Sequence, residues 1–118
     1  MVTPKQVEEI LTQVVKDNGL EGAVVADSEG LPIASYIVGD YDEDDIAAAS
    51  AAILLISDSK LREAGKGSIK QASIEGQDGY MVVAPLGEEF VLTVIAPKNS
   101  KLGIVLAAVR SINRKLNL

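Results

Sequence analysis

Residues Asp42-Glu43-Asp44-Asp45-Ile46-Ala47-Ala48-Ala49-Ser50-Ala51-Ala52-Ile53-Leu54-Leu55-Ile56 join four consecutive acids to a helix-forming run with no charge on any face. A helix with one side in water carries a polar stripe there, so one that is apolar all round must be covered on every side. A domain this small has one thick core, and a helix lying on a sheet leaves its far side in water. The run therefore points to a partner outside its own subunit. Ala47, Ala48, Ser50, Ala51 and Ala52 are small enough for a second helix to approach at about 8–10 Å between axes. A self-complementary patch around a two-fold axis is the commonest arrangement of that kind.

Upstream of this helix the pattern is a hairpin. Gly22 to Ala26 reads as a strand, Asp27-Ser28-Glu29-Gly30 as a turn, and Leu31 to Ile37 as the returning strand. Pro32 cannot donate to a ladder, so the second strand is expected at a sheet edge or with a bulge near its start. Before the hairpin, Thr3-Pro4-Lys5-Gln6 has the composition of a capping box with proline in the first turn. Val7, Ile10, Leu11, Val14 and Val15 recur at helical spacing behind it, and Asn18-Gly19-Leu20 supplies the stop.

Downstream, the central helix is expected to run to about Ala64 and end at Gly65, with Lys60, Arg62 and Lys66 complementing its C-terminal dipole as the acids complement its start. Three strands follow, Ser68 to Ile74, Tyr80 to Pro85 and Phe90 to Ala96, joined by turns short enough for antiparallel neighbours. The first is polar and reads as an edge, whereas Val91-Leu92-Thr93-Val94-Ile95 reads as interior. A last helix is expected from Pro97-Lys98-Asn99-Ser100 onward, with Leu102, Val105, Leu106, Val109 and Ile112 on its apolar side. The order α-β-β-α-β-β-β-α over residues 1–118 predicts a single α+β domain, one antiparallel sheet built from hairpins with helices on its faces.

Composition narrows the function. The 118 residues are 47% hydrophobic, with Tyr36, Tyr41, Tyr80 and Phe90 as the aromatics, so there are few platforms for stacking bases or flat cofactors. A net charge of −6 repels phosphate backbones and anionic membrane surfaces, which argues against nucleic acid as a partner. The chain contains neither cysteine nor histidine, which removes thiolate chemistry, soft-metal sites and imidazole acid/base catalysis. Neither a signal-peptide pattern nor an uncharged run of about 18 residues is present, so a soluble, cytoplasmic protein without membrane insertion is expected.

The candidate chemical features have plainer readings. Asp40, Asp42, Glu43, Asp44 and Asp45 lack calcium-loop spacing and read as capping and solvation of a helix start. Gly65-Lys66-Gly67 reads as a helix stop, and no glycine pattern matches a nucleotide-binding loop. Arg62, Arg110 and Arg114 could reach a partner as arginine fingers, but helix-end solvation is the simpler role. No catalytic residue, metal site or cofactor is expected.

The hairpin Gly22-Ala23-Val24-Val25-Ala26-Asp27-Ser28-Glu29-Gly30-Leu31-Pro32-Ile33-Ala34-Ser35, the alanine-rich second helix and the element order together resemble the roadblock/LC7 domain, a family with a profilin-like fold. The resemblance implies strand order 2-1-5-4-3, with the second helix on one face and the terminal helices on the other. It also implies a homodimer in which the second helices pack together and the third strands pair edge to edge. Carried onto this sequence, that interface comprises Ala48, Ala51, Ala52 and Leu55 of the helix with Ile69, Gln71 and Ser73 of the edge strand. The implied role is a non-catalytic regulator or scaffold of a Ras-like small GTPase, modulating hydrolysis, exchange or localisation. A structural adaptor of a larger assembly without GTPase contact and a small-molecule sensor are the alternatives.

Overall fold

The computed structural model describes residues 2–118. It contains α1 (Pro4–Asp17), β1 (Gly22–Asp27), β2 (Pro32–Ile37), α2 (Glu43–Glu63), β3 (Ala72–Gly76), β4 (Gly79–Leu86), β5 (Phe90–Pro97) and α3 (Leu102–Leu116). The strands form one antiparallel sheet in the order β2-β1-β5-β4-β3, as the resemblance implied.

Alternation along the inner strands divides the interior into two layers. Ala23 and Val25 of β1, Val82 and Ala84 of β4, and Leu92 and Val94 of β5 join Val7, Leu11, Val14 and Val15 of α1 and Val105, Val109 and Ile112 of α3 in the larger core. Their neighbours Val24, Ala26, Val83 and Val91 point the other way and meet Ala47 and Leu54 of α2. Both faces of β5 are thus buried, which explains its unbroken apolar run.

Local signals are realised in detail. The backbone N–H of Gln6 donates to Thr3 Oγ1 at 3.2 Å and that of Thr3 to Gln6 Oε1 at 2.8 Å, closing the capping box. Gly19 takes φ +62° past the end of α1, and the Leu20 N–H returns to the Val15 carbonyl at 3.0 Å. β2 is an edge strand, and the register slips where Ala26 meets Pro32 after Val25 has met Ala34, so the expected edge and the expected bulge are both present.

Two boundaries differ from expectation. Pro97 completes β5 opposite Gly79, residues 98–100 form a turn, and α3 starts only at Leu102. The third strand begins at Ala72 instead of Ser68. The cause is a competing tie, because the Ile69 N–H donates to Asp58 Oδ1 of α2 at 2.8 Å and the Ser68 hydroxyl accepts from an Arg62 terminal nitrogen at 2.8 Å. Residues 68–71 are thereby anchored to the helix, and pairing with β4 starts at Ala72 opposite Val83.

Candidate functional site

The site is the outer side of α2 and the open edge beside it. Asp42 caps the helix, its Oδ1 accepting from the N–H groups of Asp44 at 2.8 Å and Asp45 at 3.4 Å. Asp42 thus has the capping role that its position suggested, with Glu43, Asp44 and Asp45 in the first turn behind it. The inward stripe is Ala47, Ser50 and Leu54, spaced three and four residues apart. Ser50 accepts a hydrogen bond from the Thr93 hydroxyl of β5, so these two buried polar side chains satisfy one another. The interior then presents no unpaired buried polar side-chain atom among the described residues to a small ligand.

The opposite stripe is Ala48, Ala52, Leu55, Ile56 and Ser59, all exposed. Leu55 is 74% and Ile56 62% accessible, an apolar side that none of the described elements covers. A helix that belonged wholly to its own core would be amphipathic; this one turns aliphatic groups both ways. The sequence reading named Leu55 and omitted Ile56, although both close the same uncharged run.

Of the seven residues expected at the interface, Ala48, Ala52 and Leu55 share this outer stripe. Ala51 is half-buried on its flank. It lines a groove of about 550 Å³ with Leu55, Asp58, Arg62, Ile69 and Phe90. Ile69 and Gln71 precede the strand they were assigned to, while Ser73 lies in β3, opposite Val82. β3 is exposed along Ser73 to Gly76 and forms the open edge of the sheet.

Electrostatically the notable group is Asp58, whose carboxyl is held below the ordinary carboxylate range, first by the Ile69 N–H and then by the Arg62 guanidinium. Arg62 Nε sits 2.8 Å from Asp58 Oδ2, so this arginine is tied to its own chain rather than simply solvated at the helix end. The signal was available in the four-residue spacing of Asp58 and Arg62 on one helix face.

The structure is a small α+β domain with an uncovered aliphatic helix side. The sequence model of the Roadblock/LC7 domain matches residues 6–96, and the chain belongs to that family. MJ0310, an uncharacterized protein of Methanocaldococcus jannaschii, is 28% identical over 99 residues, covering 84% of this chain and 86% of the relative. The structure of Myxococcus xanthus MglB superposes with a TM-score of 0.88 at 18% identity over 96% of this chain and 86% of that one. A Roadblock/LC7 domain from Streptomyces avermitilis gives 0.86 at 16% identity, with 93% of each chain covered. At these identities the two structures speak for the fold alone. No helix among the described residues is long and apolar enough to cross a membrane.

Proposed function

We propose that this protein is a homodimeric, non-catalytic regulator or scaffold of a Ras-like small GTPase, acting in the cytoplasm without a cofactor of its own. The observation that carries the reading is the aliphatic outer stripe of α2, with Leu55 74% and Ile56 62% exposed beside the open edge of β3. Such a stripe fits a second copy of itself, with the small Ala48 and Ala52 allowing close approach of the two helices.

Family membership supports the GTPase half of the proposal, and Ala51, Ile69, Gln71 and Ser73 are the residues proposed to complete the interface around the stripe. Acting on a GTPase requires tighter binding to one nucleotide state or to the transition state, since equal affinity shifts nothing. The test is to immobilise the protein and pass over it lysate from its source, once with a non-hydrolysable GTP analogue and once with GDP. Retention of a small GTPase in one state is the expected result. Retention of some other protein, indifferent to nucleotide, would replace the regulator with an adaptor.

A further inference from the structure

The sheet has a second open edge, β2, on the opposite side from β3. From Leu31 to Val38 this edge carries no charged side chain, which leaves it a template for strand addition. Pro32 and the bulge interrupt only its first residues. Beyond them the ladder is regular. The Val38 N–H donates to the Glu21 carbonyl at 2.8 Å, and Tyr36 and Ala34 are in register with Ala23 and Val25. By antiparallel alternation Val38, Tyr36 and Ala34 bond toward β1, and Ser35 and Ile37 turn their N–H and C=O groups to the open side.

The surroundings of those backbone groups are apolar and acidic. Leu31 is 60% and Val38 52% exposed, and Ile33 faces a groove of about 630 Å³ between β2 and α1. Glu8 and Glu9 line that groove together with Lys5. On the opposite face of the strand the Ser35 hydroxyl donates to the Glu43 carboxylate, at the head of the exposed acidic run. Lys16 is engaged over the Tyr36 ring, 5.7 Å from its centroid. Carboxylates therefore flank the edge on both of its faces.

We propose that β2 is a docking strand for a basic, extended segment of a partner protein, which adds to the sheet as a further antiparallel or parallel strand. Main-chain hydrogen bonds to Ser35 and Ile37 would hold the segment, with its alternate side chains reaching each face. Lysine or arginine side chains on the α1 side would lay their stems over Ile33 and carry their heads to Glu8 and Glu9, and β-branched groups on the other side would pack beside Ile37. A helix leaves the outward N–H and C=O groups unpaired, and an acidic segment is repelled. The proposal stands independently of the GTPase reading, because it concerns the sheet edge opposite β3 and not the outer stripe of α2.

The test is an NMR titration of the full-length, isotope-labelled protein with a blocked octapeptide of alternating valine and lysine, alongside one with glutamate in place of lysine. The expected result is saturable amide shifts centred on residues 33–38 with the lysine peptide and none with the glutamate peptide. Affinity should fall about tenfold in the Glu8→Lys/Glu9→Lys variant, whose two exposed sites leave the fold intact, and severalfold when salt is raised. Shifts centred on β3 or α2, equal binding of both peptides, or an unchanged affinity in the charge-reversed variant would overturn the proposal. So would the absence of saturable binding.

Discussion

Gly30, at φ +90°, lies against the backbone of Ala48, so that a Cβ added there would come within 3.1 Å of the Ala48 Cα. The turn that joins β1 to β2 is thereby wedged under the first turns of α2. It is built by Asp27, whose Oδ1 accepts from the N–H groups of Glu29 at 2.9 Å and Leu31 at 3.0 Å. This contact fixes the height of α2 above the sheet and hence the position of the stripe that α2 presents outward.

Gly30→Ala is therefore expected to destabilise the fold by roughly 1–3 kcal/mol, through the left-handed backbone and through pressure on rigid helix backbone. Gly65→Ala is the comparison. It shares the positive φ, at +73°, but a Cβ there meets nothing within 4 Å. Chemical unfolding of the two variants separates strain alone from strain plus collision, and an equal loss would show that the Ala48 contact contributes nothing.

Leu55→Glu should leave the subunit folded, since the side chain is already 74% exposed, while burying an unpaired charge in any helix-to-helix interface. Light scattering is expected to report the mass of one subunit for the variant and two for the parent. An unchanged mass would remove α2 from the proposed interface. Leu55 is a cleaner probe than Ala51, because the Ala51 Cβ lies 3.6 Å from the position a Gly30 Cβ would take, and a glutamate there disturbs the hairpin as well.

The sequence made the helices, the hairpins and the sheet edges legible because each rests on neighbours in the chain: Thr3 with Gln6, Gly19 after Asn18, Pro32 at the start of β2. The late start of β3 was not legible in the same way. It depends on Asp58 outcompeting β4 for the Ile69 N–H across eleven residues, and the apolar content of residues 68–74 carries no trace of that competition. For the site, the absence of charge from Ile46 to Ile56 announced an uncovered surface, but spacing alone did not say which side was covered from within. Ser50 decides it, because its partner Thr93 lies on β5.

Asp58 should titrate below the ordinary value of about 3.9, because the Ile69 N–H and Arg62 stabilise its charged form. A depressed folded-state value means that its contribution is present above the unfolded value and lost as pH falls through the folded one. The Ile69 amide resonance is expected to move with that titration, and Asp58→Asn should abolish the movement and increase hydrogen exchange at Ile69. A midpoint at or above the ordinary value would show that the tie is not formed in solution.

Thr93 and Ser50 offer a test of how α2 is seated. Thr93→Val leaves Ser50 without its donor in a dry layer, and Ser50→Ala leaves the Thr93 hydroxyl unpaired, so each alone should cost about 1–3 kcal/mol. Removing both replaces a satisfied polar pair with apolar contact, so the double variant should lose clearly less than the sum of the two. The coupling is measured by a double-mutant cycle in urea. Additive losses would mean that the two hydroxyls find other partners, and that α2 is held on the sheet by its apolar contacts, those of Ala47 and Leu54 among them. Coupled losses would mean that the polar pair fixes the rotation of α2, keeping Leu55 and Ile56 turned outward.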